Sequence, residues 1–248
     1  MRRLFLLLAC LLFTSSLAMA DKAYVAVASN FTKVAKELQK AFEEESGHRL
    51  VLSYGSTGKL YIQIKNGAPF SVFLSADVER PQMLEEEGGI VADSRFTYAR
   101  GKIILYSRDE GLIDETPEIL MQPDGFSKLA MANPKTAPYG IAAVETLKKL
   151  SAYDGVKSKI VRGENIAQTY QFVFTQNAQL GFVALSQVIN EPAGSRWLVP
   201  EDYYSALNQQ AVLLKKGQGN LAAQDFVDFL KGQRAKAIIQ RYGYGVSL

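Results

Sequence analysis

Tyr24-Val25-Ala26-Val27-Ala28 runs directly into Ser29-Asn30-Phe31, and from there apolar residues fall at Phe31, Val34, Ala35, Leu38, Ala41 and Phe42. The first five residues read as a short apolar strand. The later set, spaced i, i+3, i+4, i+7, i+10 and i+11, is one face of an amphipathic helix that Gly47 stops. The change of period then repeats: Leu50 to Tyr54 is a strand, Gly55-Ser56-Thr57-Gly58 a junction, and Leu60, Tyr61 and Ile64 mark a shorter helix ending at Asn66-Gly67-Ala68-Pro69. Strand then helix, repeated, is the pattern of a mainly parallel α/β sheet. Both junctions are small, hydroxyl-bearing and uncharged. A helix N-terminus there exposes backbone N–H groups with O–H donors beside them, which suits an anion held by neutral donors.

The pattern continues outward. Val72 to Ser75 reads as a third strand, with Asp77 placed to cap a helix over Glu79 to Glu87. A second set opens with strands at Lys102 to Tyr106 and Leu129 to Ala132. Asn133-Pro134 and Pro138 bracket a loop, and Ile141, Val144, Leu147 and Lys148 follow as a helix. Ile160-Val161 precedes Asn165-Ile166 and a helix to about Ala178, then a strand at Leu180 to Ala184. The tail returns to a strand at Ala211 to Leu214 and helices over Leu221 to Lys231 and Arg234 to Arg241. Strand-to-helix junctions therefore stand at Ser29, Thr57, Tyr139 and Ile166, two in each half. Ligands of open α/β sheets bind beyond the carboxyl ends of strands, and two lobes facing across a cleft bring all four junctions together.

Residues 1–20 read as a signal peptide: basic Met1-Arg2-Arg3, an apolar run from Leu4 to Phe13, and Ala18-Met19-Ala20 as the cleavage signal. Cleavage after Ala20 is expected. The rival lipoprotein reading, Leu7-Leu8-Ala9-Cys10, would leave Leu11-Leu12-Phe13 at the new terminus. With Arg2 and Arg3 gone, the 28 Lys and Arg less two against 25 Asp and Glu lower the net charge from +3 to +1. Cys10, the single cysteine, leaves with the same segment, so the exported chain has no disulfide and relies on its core. Near-neutral charge without a basic block argues against nucleic acid as a partner, and no later segment reads as membrane-spanning.

Catalytic and metal readings fare poorly. Gly55-Ser56-Thr57-Gly58-Lys59 lacks the glycine of a phosphate-binding loop, where Ser53 stands, and its Ser/Thr, where Leu60 stands. His48, the single histidine, sits in Gly47-His48-Arg49 and reads as a surface turn residue, which leaves no His-based triad or conventional zinc site. An exported ester hydrolase using Ser29 or Ser56 would lack a histidine partner and a Gly-x-Ser-x-Gly elbow. Tyr203-Tyr204, preceded by Glu201 and Asp202, is the remote alternative, a ferric-iron site; such a site also wants further hard ligands nearby.

Several segments together resemble the periplasmic molybdate-binding proteins of ABC importers. They are Val27-Ala28-Ser29-Asn30-Phe31, Gly55-Ser56-Thr57-Gly58, and Asn66-Gly67-Ala68-Pro69 leading to Phe73-Leu74-Ser75-Ala76-Asp77. Asn133-Pro134 with Ala137-Pro138-Tyr139-Gly140, Leu180-Gly181-Phe182-Val183 and Arg241-Tyr242-Gly243-Tyr244 complete the set. They occur in the family's order and spacing over residues 21–248. The resemblance implies an α/β, two-lobed type II periplasmic-binding-protein fold, each lobe a mainly parallel sheet flanked by helices, with the ligand cleft between. Residues 21–100 plus 206–248 would form lobe 1 and residues 101–205 lobe 2, and two chain crossings suit hinge closure.

Carried over by position, Ser29 and Thr57 match the family's hydroxyl-bearing ligand positions, and Tyr139 and Ile166 its backbone N–H donors. Asn30 resembles the amide-bearing variant of part of the family. Some members place a ligand tyrosine just after the Leu-Gly-Phe/Ile-Val strand, where this chain has Ala184; Asn30 is expected to replace that donor. The implied function is a non-enzymatic, periplasmic receptor, expected to be monomeric, that delivers molybdate, and tungstate with it, to the membrane permease of an ABC importer. No cofactor is implied, and no metal is coordinated directly by the protein, since the metal atom lies inside the oxyanion. Neutral donors suit a dianion and disfavour a protonated oxyanion, whose O–H would meet a donor. Sulfate and other tetrahedral oxyanions pass the same filter, so cavity size must separate them; a sensor that signals without transport is a further alternative.

Overall fold

The computed structural model describes residues 21–246. The expected signal peptide, its cleavage point and Cys10 lie outside the described residues, as do Ser247 and Leu248. The chain begins with β1 (Lys22–Ala28), a single 3-10 turn at Ser29–Phe31, α1 (Thr32–Ser46), β2 (Arg49–Gly55) and α2 (Thr57–Lys65). β3 (Val72–Leu74), α3 (Glu79–Glu86) and β4 (Phe96–Gly101) follow. A second set comprises β5 (Ile103–Ser107), β6 (Leu129–Ala132), α4 (Pro138–Lys149), α5 (Tyr153–Val156) and β7 (Ile160–Gly163). It continues with α6 (Ile166–Phe174), β8 (Leu180–Ala184), α7 (Leu185–Val188) and β9 (Ser195–Leu198). The chain returns as β10 (Leu207–Leu213), α8 (Leu221–Lys231) and α9 (Gln233–Arg241).

These strands form two five-stranded sheets, ordered β2-β1-β3-β10-β4 and β7-β6-β8-β5-β9. One strand runs backwards in each: β10 is antiparallel to β3 and β4, and β5 to β8 and β9. The sheets therefore share one topology, although no repeat is visible in the sequence. The chain passes between them at Lys102 and again between Leu198 and Leu207. Glu201 ties the two crossings together through Arg100 (2.8 Å) and Lys102 (3.3 Å).

Each sheet is covered on both faces. In the first lobe Val34, Leu38 and Phe42 of α1 pack with Phe226, Leu230 and Ile239 of α8 and α9. Leu60 and Leu84 of α2 and α3 cover the other face, against Phe73 and Val212. Phe42 and Phe226 meet edge to face at 5.2 Å, a contact worth about 1 kcal/mol beyond the burial itself. In the second lobe Ala142, Ala143 and Leu147 of α4 cover one face, and Tyr170, Val173 and Val188 of α6 and α7 the other. Gly47 ends α1 in the left-handed conformation (φ +73°), where a Cβ would be strained.

Three findings differ from the sequence reading. β4 and β9, both antiparallel edge strands, carry too little apolar run to be recognised. α6 stops at Phe174 because Gln176 takes φ +57° and turns the chain before β8. His48 is not a surface turn residue: it is 7% exposed, accepts from the Asp21 backbone N–H at Nδ1 (3.1 Å) and faces Asp225 Oδ2 from Nε2 (3.1 Å).

α4 sits hard on the end of β6. A Cβ at Gly140 would lie 2.3 Å from the Ala132 carbonyl oxygen and 2.8 Å from Pro134 N, both backbone atoms that cannot yield cheaply. Gly140→Ala is therefore expected to destabilise the protein by about 2 kcal/mol through overpacking. Urea denaturation should show a lower midpoint at unchanged slope.

Candidate functional site

The junctions are positioned by strand register. β1 and β2 are parallel with Ala28 opposite Gly55, so the Ser29 turn and α2 begin side by side. β6 and β7 are parallel with Ala132 opposite Gly163, which places the starts of α4 and α6 together in the other lobe. The lobes are closed on one another. Gly58 N–H donates across to the Thr136 carbonyl (2.9 Å), Lys59 pairs with Glu164, and Lys33 donates to the Gln187 carbonyl (2.9 Å). Ser29, Asn30, Ser56, Thr57, Tyr139 and Ile166 are all buried.

The donors at these junctions are open. Among the described residues, no side-chain acceptor meets the N–H groups of Asn30, Ser56, Thr57, Tyr139 or Ile166, which open a turn or helix and so have no acceptor in a preceding helical turn. Capping would have been the ordinary role for the hydroxyls, yet neither the Ser29 turn nor α2 has a side-chain cap. Thr57 Oγ1 accepts from the Ala76 N–H (3.2 Å), which uses a lone pair and leaves its proton to donate. Ser56, 3% exposed, has a buried Oγ with no partner at all. A buried hydroxyl left unpaired costs about 1–3 kcal/mol. Ser56 was read from the sequence only as part of the junction and as a discarded nucleophile. Its place immediately before α2 is the signal the sequence offers.

Asn30 departs from its expected role. Its Nδ2 donates to Gln209 Oε1 (2.9 Å) and to Tyr244 Oη (3.0 Å), so both amide hydrogens are committed. Its carbonyl accepts from Ser186 Oγ (3.1 Å) and Tyr244 Oη (3.0 Å). What Asn30 leaves available is its main-chain N–H. The network reaches Tyr139, whose hydroxyl accepts from Gln209 Nε2 (3.3 Å), and Tyr98, whose hydroxyl donates to Gln209 Oε1 (3.1 Å). Ala184 carries no side-chain donor, and Gln187 bridges the backbone there: its Oε1 accepts from the Ala184 N–H (2.9 Å) and its Nε2 donates to the Ile166 carbonyl (3.1 Å).

The site is electrically neutral. Burial pushes the phenols of Tyr98 and Tyr139 well above the ordinary value and that of Tyr244 up to about 12, so all three stay protonated. The nearby Asp77 carboxyl is raised by burial, against the pull of Arg80, and is engaged by the Ser75 hydroxyl (3.0 Å) and the Arg80 guanidinium (2.8 Å). Asp77 Oδ1 also accepts from Arg80 N–H (3.1 Å), capping α3 as expected. Lys59 and Glu164 stand half exposed at the rim, neutralising each other. Tyr203 and Tyr204 lie on the second crossing, Tyr203 edge to face with Trp197 (6.0 Å) and Tyr204 in the second-lobe core. Among the described residues no cluster of three or more His, Cys, Asp or Glu is placed to hold a metal, and no helix is long and apolar enough to cross a membrane. Convergent neutral donors, enclosed by two lobes, can hold a small anion that presents acceptors on every side.

Residues 23–245 match the family of bacterial extracellular solute-binding proteins. The chain belongs to that family. This solute-binding protein is 52% identical over 232 residues to the molybdate-binding protein ModA of Azotobacter vinelandii, covering 92% of each chain. It is 47% identical over 227 residues to that of Rhodobacter capsulatus, covering 92% of this chain and 89% of the relative. Its structure superposes on the periplasmic molybdate-binding protein of Azotobacter vinelandii with a TM-score of 0.88 at 38% identity, over 91% of this chain and 100% of the other.

The two hydroxyls at the start of α2 should separate in ligand-free protein. Thr57→Val removes the acceptor of the Ala76 N–H and is expected to cost about 1–3 kcal/mol. Ser56→Ala removes an unpaired buried group and is expected to leave stability unchanged or raise it by up to about 1 kcal/mol. Urea melts of the two variants without ligand check the contrast.

Proposed function

We propose that this solute-binding protein captures molybdate, and tungstate with it, between its lobes, and delivers the oxyanion to the membrane permease of an ABC importer. It works in the periplasm after removal of residues 1–20, as a receptor and not as a catalyst. The lobes that move are residues 21–100 plus 206–248 and residues 101–205, turning about the two crossings at Lys102 and Glu201. The observation that carries the reading is the orphaned Ser56 hydroxyl among neutral donors buried where the lobes meet. The molybdate-binding relatives supply the identity of the oxyanion.

Within this reading Ser29, Ser56 and Thr57 donate through hydroxyls, and Asn30, Tyr139 and Ile166 through main-chain N–H groups. Each hydrogen bond to a charged group contributes about 1.5–3 kcal/mol, and exclusion of water by the closed lobes strengthens the set. Micromolar affinity requires about 8 kcal/mol net, within reach of six such donors after the cost of closure. Neutral donors also spare the protein a buried counter-charge and its desolvation.

Isothermal titration of residues 21–248 with molybdate should give saturable heat at micromolar concentration; its absence sinks the reading. Ser56→Ala should weaken binding by about 10- to 100-fold, the loss of one charge-assisted bond. No group in the donor set titrates near neutrality, so affinity should be flat from about pH 7 to 9. Trp197, buried beside the second crossing, offers a fluorescence readout of closure.

A further inference from the structure

We propose that the side chains of Asn30, Tyr139, Ser186, Gln209 and Tyr244 form a buried spacer that sets the gap between the lobes and so selects the oxyanion by size. The proposal rests on the oxyanion reading above. Neutral donors cannot tell one tetrahedral dianion from another by charge. They discriminate by distance, because a hydrogen bond is effective only over a few tenths of an ångström around 2.7–3.2 Å. The donors stand on both lobes, so the distances between them are fixed by how far the lobes close.

Three contacts of this spacer cross between the lobes. Gln209 Nε2 of the first lobe donates to Tyr139 Oη of the second (3.3 Å). Ser186 Oγ of the second lobe stands 3.1 Å from the Asn30 carbonyl and 2.9 Å from Tyr244 Oη of the first, and donates its single proton to one of them at a time. Asn30 joins both branches, through Nδ2 to Gln209 and to Tyr244. Asn30 and Tyr139 are also the residues whose main-chain N–H groups face the junctions, so the spacer grips the ligand donors from behind. A backbone bond, Gly58 N–H to the Thr136 carbonyl (2.9 Å), also crosses, and the charged contacts are softer. Lys59–Glu164 and Lys33–Glu191 are largely exposed side-chain pairs, which yield to solvent and salt.

The spacer bears on the pivot. Gly101, the last residue before the first crossing, has no side chain where a Cβ would lie 2.2 Å from Tyr139 Oη and 2.7 Å from Gln209 Nε2. Space at the crossing is thus reserved for the two groups that bridge the lobes. Asn30 and Tyr139 act here as positioning residues through their side chains, a role separate from their main-chain amides. The burial of every member keeps the spacing independent of salt.

The test is the ratio of molybdate to sulfate affinity in Tyr139→Phe and Ser186→Ala, by titration with molybdate and by competition with millimolar sulfate. Each variant deletes one crossing branch and keeps the main-chain donors. Molybdate affinity should fall about tenfold while sulfate affinity holds or rises, lowering the ratio at least fivefold. Tyr98→Phe, which removes contacts only to Ser75 and Gln209 inside the first lobe, should move both affinities by one factor. A ratio unchanged within twofold in both crossing variants, sulfate undetectable throughout included, overturns the proposal. A wild-type protein that binds no molybdate overturns the oxyanion reading itself and this proposal with it.

Discussion

Ala28 lies opposite Gly55 in one sheet and Ala132 opposite Gly163 in the other, so in each lobe two parallel strands end level. Level strand ends oblige the helices that follow to begin side by side, with N–H groups aimed the same way. Four bundles of open donors then exist before any side chain is considered. A slip of one residue in either pairing would turn the strand faces over and bury polar residues in the core. The apolar burial of β1 and β6 on both faces therefore enforces the geometry of the cleft. The site is a consequence of core packing.

That geometry carries a cost in the absence of ligand. The closed lobes enclose the Ser56 hydroxyl, with nothing to accept from it, beside the N–H groups that open the helices. Each unpaired buried donor is unfavourable by about 1–3 kcal/mol, which water relieves when the lobes part. An anion that accepts from all of them removes the penalty and adds charge-assisted bonds. In the proposed function closure and binding are coupled through the solvation of the donors, and a lock formed by charged side chains is not required. The exposed ion pairs at the rim add little.

Much of this was legible in the sequence, and the parts that were not share a reason. Apolar periodicity located α1, α2, α4 and α8, and the strands that precede the site, because burial writes itself into spacing. β4 and β9 escaped because antiparallel edge strands are short and half exposed. His48 escaped because its burial depends on Asp21 and Asp225, which reach it only in the folded chain. The junction residues Ser29, Thr57, Tyr139 and Ile166 could be named from the change of period and the resemblance. Ser186, Gln187 and Gln209 could not, since each acts through a partner more than twenty residues away or on the opposite lobe. Asn30 was legible as a residue and not as a role: an amide beside a ligand site looks like a donor to the ligand until its two hydrogens are traced.

Ala184 carries no side-chain donor, and the side chain that reaches it acts on backbone orientation. Gln187 bridges the Ala184 N–H and the Ile166 carbonyl. A trans peptide is planar, with its C=O and N–H antiparallel. Fixing the Ile166 carbonyl toward Gln187 therefore points the Ala167 N–H the opposite way, beside the Gln168 N–H that Asn165 caps (3.0 Å). At Asn30 the carbonyl held by Ser186 and Tyr244 orients the following amide, the Phe31 N–H, in the same way. In both lobes a glutamine or serine side chain sets the direction of a peptide at a junction. A site built from such peptides needs no charged residue and keeps its donors neutral at every pH at which the fold persists.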